Sequence, residues 1–488
     1  MLGKQLWNNC DGAILPYVAI MLVVIFGLSA LAVDASRLMA VQTQLQAAAD
    51  ALALAGAAEL DRRPDSIIRA QAAINDLVVN PVLGAGRGKD AKVAAITFLR
   101  TLPPNDDLPI AAANITDDPS LAAYVQVTVK PVGMAMIFPI SLSTDRRTIS
   151  IGAQAVAGYD QIVCNAEPVL VCNPFETPGM TYFQATQALV AADQPGAPHS
   201  RLIRLARSQF QNGGLGAGDL RYVAPATGYL PENACGPAGE SGIPQALAAI
   251  RVRACFRLSG VHAVPSDDQP AMDGLNTRFD LYANGFYNCR GYPPDINVRK
   301  GYTAIYNVNW CDNAVPASLQ WPLAPLPGAA TPLPPDQNMI HESFDPNVEL
   351  GSGVWDCADY WSIAHVIGRG KDSPPPGCTA AATITRYSVY QYELNYLNDR
   401  SLGVEYGGPR CVPRGAPNRR IITATIVNCG SSPVPVLPDA RGVPVAGFGR
   451  FFLVWPAVSG DDSDPYVEFL GLVERSDPSS IDMVQLYR

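Results

Sequence analysis

The chain has 488 residues, a formal net charge of −9 and only 16 % charged side chains. No Lys/Arg run or basic stripe is present, which excludes nucleic-acid binding as a function class. The length is enough for two or more hydrophobic cores, and 43 prolines, against a usual share of ~5 %, point to stiff, extended surface loops.

The first element lies behind a tail of residues 1–12. Residues 13–33 read AILPYVAIMLVVIFGLSALAV, without one charged side chain. As a helix this run is ~32 Å long at about 1.5 Å per residue, enough to cross a bilayer core. A cleaved signal peptide is the alternative. The run, however, exceeds the roughly 7–15 residues of a signal h-region. Its flank is weakly basic, with Lys4 set against Asp11, and no small-x-small site is followed by a mature start. A retained transmembrane helix is therefore expected, with about 450 residues beyond it.

The helix is expected to continue past the membrane. After Asp34 there is no Gly or Pro until Gly56, and Ala, Leu and Gln are good helix formers. Leu38, Val41, Leu45, Ala48, Leu52 and Ala55 recur at alternating steps of three and four, a narrow apolar seam along one face. Such a seam fits close packing against a partner helix or against the protein's own globular part.

The stretch Gly12 to Ala58 resembles the N-terminal segment of the TadE/TadG-like proteins of the tight-adherence (Flp, type IVb) pilus machinery. The resemblance is carried by Gly12, Ala32-Val33-Asp34 with Arg37-Leu38, and Leu45-Gln46-Ala47-Ala48-Ala49-Asp50-Ala51, followed by Leu52 to Ala58. Val171-Cys172-Asn173-Pro174-Phe175-Glu176 is similar to a stretch of TadG-type members. Pilin-like members cut after the Gly carry Glu at the fifth mature position. Counting from Ala13 that position is Tyr17, so the resemblance implies a permanently anchored, TadG-like protein rather than a polymerising pilin. Some members also carry a von Willebrand A domain with a D-x-S-x-S metal site. Here Asp34-Ala35-Ser36 is followed by Arg37 and Leu38, and that activity is not carried over.

Beyond the seam, a second amphipathic helix is expected from Asp65 to about Val79, stopped by Pro81. Lys92–Leu99, Ala122–Val132 and Thr148–Gly158 alternate and are β-branched, as a small antiparallel sheet would be. Residues 34–160 thus read as a pilin-like helix and small sheet, and residues 161–488 as a cysteine-bearing α+β region, with a seam expected at the Pro-rich stretch 321–336. In that region 302–310, 383–394, 421–429 and 449–458 are expected as strands, and Tyr182–Ala192 and Pro244–Val252 as helices. Strands and helices do not alternate regularly, so the class is α+β.

Eleven cysteines are present. Cys10 precedes the apolar run; the rest follow residue 160. An oxidising compartment would allow five disulfides among Cys164, Cys172, Cys235, Cys255, Cys289, Cys311, Cys357, Cys378, Cys411 and Cys429. Pairing in chain order is the first expectation, among about 945 connectivities by the counting that gives 15 for six cysteines. Free thiols are the second alternative. Zinc is disfavoured, because C-x-x-C is lacking and His is scarce. The cysteines and the family resemblance together place the N-terminus in the cytoplasm and the bulk of the chain in the periplasm, anchored in a bacterial inner membrane.

No motif points to catalysis or to a cofactor. His341-Glu342 lacks the following x-x-His of a zincin. Gly239-Glu240-Ser241-Gly242 is one residue short of a nucleophile elbow. Gly213 to Gly218 lacks the Lys-Ser/Thr of a P-loop. Asp461, Asp462 and Asp464 offer oxygens to Ca²⁺ but read better as an acidic turn. His365, near Trp361 and Cys357, reads as a packed or surface histidine. The sequence therefore reads as a non-enzymatic, membrane-anchored accessory or minor pilin-like component whose partners are other pilin-like and envelope proteins. The alternative is a tethered binding module or adhesin.

Overall fold

The computed structural model describes residues 14–77, 92–103, 105, 108–136, 148–205, 220–228, 235–236, 242–264, 268–282, 284–286, 289, 291–299, 333–339, 350–365, 373–398, 415–437, 439–457 and 464–487. The chain divides into two compact units, Met1–Tyr159 with Val484–Arg488, and Asp160–Met483.

The first unit begins with α1, Ile14–Ala57, one helix of 44 residues. Its seam is spent inside its own unit. Val41 and Leu45 are fully buried and Leu52 is 3 % exposed, while Leu38, Ala48 and Ala55 are half-buried at the edges. Ala49, Ala53 and Ala57 complete the buried stripe. An arginine locks the corner after α1. Arg69 donates to Asp61 at 2.6 Å and to the Glu59 carbonyl at 3.2 Å. It sits on α2, Ser66–Asp76, whose buried Ser66, Ala70 and Ile74 recur every four residues.

Three strands supply the surface that α1 covers. β1 (Val93–Leu99) and β2 (Tyr124–Ala135) pair antiparallel, and β2 pairs antiparallel with β3 (Thr148–Cys164). Along β2, Val125, Val127 and Val129 are fully buried and alternate with half-buried Tyr124, Gln126 and Thr128. That is the period-2 pattern of a sheet with one covered face. α1 packs on β2, and Gln46 reaches across to the Gln154 carbonyl at 3.0 Å. The β2–β3 register slips between Val129 and Val132, where Pro131 has no N–H to offer the ladder. The chain's last residues return to this unit, where Tyr487 donates its backbone N–H to the Val156 carbonyl and stands edge-on to Tyr124.

The second unit opens with the end of β3, which pairs with β8 (Ala254–Arg257), itself paired with β7 (Thr227–Gly228). Among the described residues its main sheet has seven strands in the order β5-β12-β11-β10-β4-β6-β9. These are β4 (Val169–Cys172), β5 (Leu202–Arg204), β6 (Leu220–Ala224), β9 (His262–Val264), β10 (Ile421–Val427), β11 (Gly447–Trp455) and β12 (Tyr466–Leu472). Among the described strands of this sheet only β4 and β10 pair parallel. Both faces are covered. Phe451 and Leu453 join a core with Leu189 of α3 (Tyr182–Ala192), Leu247 of α4 (Ile243–Ala248) and Met272 of α5 (Asp268–Asn276). Phe452 and Val454 point the other way, into a core with Tyr360 of α6 (Cys357–Ala364) and Tyr390 of α7 (Arg386–Asn398). Burial on both faces is why β10 and β11 read as nearly unbroken apolar runs. The final strand, β13, spans Ser480–Leu486.

Two expectations are corrected here. Residues 383–394 were expected as a strand, from their Tyr, Val and Thr content, but Arg386–Asn398 is helical. The buried residues are Arg386, Val389, Tyr390, Glu393 and Leu394, a period near 3.6 that the aromatic content masks. Thr385 Oγ1 accepts from the Ser388 N–H, a cap at the helix start. Chain-order pairing of the cysteines is also overturned. Among the described residues the disulfides are Cys164–Cys255, Cys172–Cys429, Cys235–Cys289 and Cys357–Cys378; of these only the last joins neighbours in the series. Strand pairing is the reason. Cys164 lies directly opposite Cys255 in the β3–β8 ladder, and the parallel β4–β10 pair carries Cys172 beside Val427, two residues before Cys429. Cys311, Cys411 and the expected strand 302–310 lie outside the described residues, as do 321–332 of the Pro-rich stretch. Its end is built into the core: Leu333 is buried and the Pro334 carbonyl accepts from Arg386.

Candidate functional site

The segment best suited to a partner is the first part of α1. From Pro16 to Val33 every side chain is exposed except Ala30; Val23 is 73 % and Phe26 67 % exposed. An isolated helix that presents Ile, Leu, Val and Phe on all sides to water is strongly disfavoured, since each large apolar side chain costs about 1.5–3 kcal/mol relative to burial. In a bilayer the same surface is favourable, and all backbone bonds are satisfied within the helix. The span is long and apolar enough to cross a membrane.

The switch from lipid-suited to core-packed helix falls at Asp34. This carboxylate is only 2 % exposed and pairs with Arg37 one turn on, at 3.3 Å. Arg37 also reaches the Ala135 carbonyl at the end of β2, at 3.5 Å. Residues 34–37, which the sequence reading set aside as a metal motif, thus form a polar collar between the two parts of α1.

The second unit holds a different kind of cluster. Arg386, fully buried, donates to Asp336 at 2.7 Å, to Glu468 at 2.9 Å and to the Pro334 and Ser200 carbonyls. Glu468 also accepts the backbone N–H groups of Arg386 and Tyr387, so a carboxylate from β12 sits at the N-terminus of α7. One cation serves two carboxyls here, and burial pushes the Glu468 carboxyl up to about 7 against the pull of Arg386.

A neighbouring carboxylate is held the other way. Glu393 is fully buried, and burial opposes its charge. Arg299 at 3.1 Å, the His365 ring at 3.1 Å and Tyr360 outweigh that and lower it to about 2, and Asn297 donates to its other oxygen. His365 stacks on Trp361 with ring centroids 3.8 Å apart, which agrees with a packed histidine. A third group joins Arg420 to the Leu453, Val454 and Asn297 carbonyls, with Asp295 accepting from the Arg420 N–H and the Tyr390 hydroxyl. The buried carboxylates of these groups are engaged by protein donors and serve as struts; acid–base work needs a carboxyl that can reach a substrate proton.

The C-N-P-F-E stretch is also a strut at its polar positions. The Asn173 side chain bonds Asn428 and the Ala185 carbonyl, and Glu176 accepts from Gly430 and Ser431. Asp464 turns inward and pairs with Arg204 at 2.8 Å; Asp461 and Asp462 lie outside the described residues, as do Gly213 to Gly218 and His341-Glu342. Among the described residues no group of three His, Cys, Asp or Glu side chains is placed to hold a metal ion. Sequence reasoning missed the buried arginines. Arg419-Arg420 beside an apolar strand was the available signal, because charges so placed must face partners.

Comparison with known proteins bears on the first of these regions. Residues 12–59 match the family described as putative Flp pilus-assembly TadE/G-like, roughly a tenth of the chain. No curated protein and no solved structure matches.

Proposed function

We propose that this chain is a membrane-anchored accessory, minor pilin-like component of a tight-adherence (Flp) pilus-assembly apparatus, acting through protein contacts rather than catalysis. The observation that carries the reading is the coincidence of the pilus-assembly match at residues 12–59 with the exposed apolar helix that begins α1. In this reading the N-terminus is cytoplasmic, the span sits in the inner membrane of a bacterium, and both units face the periplasm. An oxidising compartment fits the four disulfides among the described residues.

The partners are other pilin-like helices and envelope proteins. Val41, Leu45 and Leu52 are already buried in the chain's own unit, so they do not carry that docking. It falls to the exposed span and to outward positions of α1 such as Met39, 66 % exposed.

The test is deletion of the gene in its host, with surface pili and attached cells counted. Complementation uses the full chain and a version whose residues 14–33 are replaced by an unrelated membrane span. Loss of pili, rescued only by the full chain, is the expected result. Normal pili with lost attachment, rescued by either version, would establish a tethered binding module instead. That second reading is favoured by one observation, an open apolar cleft beside α3.

A further inference from the structure

The cleft lies wholly within the second unit and has a volume of about 320 Å³, at the small end of the ~300–1,000 Å³ of ligand sites. Its walls are apolar: Ala188 and Ala192 of α3 with Phe175 and Phe469, whose rings meet edge-on at 5.6 Å between centroids. Two basic side chains complete it, His199 and Arg201. His199 is oriented by its neighbour: its ring stacks on Phe469 and Nδ1 lies 3.3 Å from the Phe469 carbonyl.

Arg201 differs from the buried arginines of the same unit. Arg386 and Arg420 are engaged at every nitrogen. Arg201 is half-buried, and its Nε donates to the Gly351 carbonyl at 2.9 Å, which fixes the plane of the guanidinium. Its terminal nitrogens take no hydrogen-bond or ion-pair partner among the described residues. Burial lowers its pKa from the ordinary value, and the nearby acid that opposes this, Asp336, is committed to Arg386 and to two backbone N–H groups.

We propose that this cleft binds a carboxylate carried on an apolar body, with the body between Phe175, Phe469 and the α3 alanines and the carboxylate on the Arg201 guanidinium. A planar fork with two free donors matches a carboxylate in bidentate geometry. The aromatic and alanine walls exclude water around that pair, which strengthens it. Two sources present this chemistry: a small aryl or alkyl carboxylic acid, and the carboxyl terminus of a peptide ending in an apolar residue. The inference does not depend on the pilus reading, and it stands or falls on binding alone.

The experiment titrates the detergent-solubilised full chain with two probe pairs. One is 4-phenylbutyrate and its uncharged amide; the other is a tetrapeptide ending in Phe, with a free or an amidated C-terminus. Both acids are expected to bind at least ~tenfold more tightly than their amides, and Arg201→Gln to remove that difference, as loss of one charge-assisted pair implies. Ala191→Trp, on the α3 wall but exposed, fills the cleft while keeping Arg201, and is expected to abolish binding of acid and amide alike. Should Arg201→Gln fail to fold, judged by circular dichroism, the Ala191→Trp result decides. Tighter binding of the peptide acid than of phenylbutyrate assigns the peptide source, and the reverse assigns the small acid. Equal binding of acids and amides, acid binding that survives Ala191→Trp, or no binding of either acid at millimolar concentration overturns the proposal.

Discussion

The two units solve the same problem with different materials. The first closes its core with small and branched apolar side chains: α1 lays Val41, Leu45, Ala49, Leu52 and Ala53 on a strand whose inner face is Val125, Val127 and Val129. It has no cysteine between Asp34 and Tyr159. The second carries all four disulfides among the described residues and buries Arg278, Arg299, Arg386 and Arg420 to 1 % exposure or less. The difference teaches what long irregular connections require. Loop backbone brought into an interior carries carbonyls that no ladder satisfies. The arginines answer them: Arg386 binds Pro334 and Ser200, Arg278 binds Leu247 and Arg419, and Arg419 binds Pro293, Ala248 and Ala249. Regular helix on regular sheet leaves few such groups, and apolar packing suffices.

The comparison can be broken most forcefully at Cys172–Cys429. The bridge spans a sequence separation of 257, and by chain entropy its removal destabilises by about 5 kcal/mol. In Cys172→Ser/Cys429→Ser, hydrogen exchange on the detergent-solubilised chain is expected to accelerate throughout β4 and β10 and to leave β2 unchanged. Faster exchange in β2 would mean the units do not differ as described.

Arg386→Met comes next. It strands two buried carboxyls, Asp336 and Glu468, and is expected to cost about 3–5 kcal/mol. A thermal melt of the second unit lowered by less than a few degrees would show that the pair of acids adapts by protonation.

Leu45→Ala is the matching lesion in the first unit. A fully buried leucine truncated in a helix–sheet interface costs about 2–5 kcal/mol. Exchange should rise in α1 beyond Asp34 and in β2, with the second unit untouched. Loss of a partner in pull-downs with no local destabilisation would instead return the seam to an intermolecular role.

The smallest effect is on pH dependence, and it has two opposite arms. Glu393 in the folded chain lies at about 2, below its ordinary 4.5, so its stabilisation is complete above about 4.5 and is lost as pH falls through about 2. Glu468 lies at about 7, above its ordinary 4.5; its stabilisation is complete below about 4.5 and is lost as pH rises through about 7. Glu468→Gln is therefore expected to flatten the melting temperature between pH 4.5 and 7, and Glu393→Gln to flatten it between pH 2 and 4.5. A Glu468→Gln profile as steep as that of the parent would remove Glu468 from this account.

The sequence by itself determined the features that a single turn or a single pleat can state. The uncharged run 13–33, the three-and-four spacing from Leu38 to Ala55, and the alternation along β2 each report one element facing one environment. They were legible because the signal and the structure share a length scale of a few residues. The span's suitability for a membrane needs composition and length alone. Only the tertiary structure decided the rest. Whether 386–398 became strand or helix rested on the core that receives its buried face. The cysteine pairing followed from the strand order, which sets Cys172 near Cys429 across most of the chain. The buried arginines acquire meaning only from carbonyls and carboxylates contributed by distant parts of the chain, and the cleft exists only because Phe175, Arg201 and Phe469, far apart in sequence, meet beside α3. Each of these depends on contacts between residues tens to hundreds of positions apart, and such contacts leave no periodic trace in the chain that makes them.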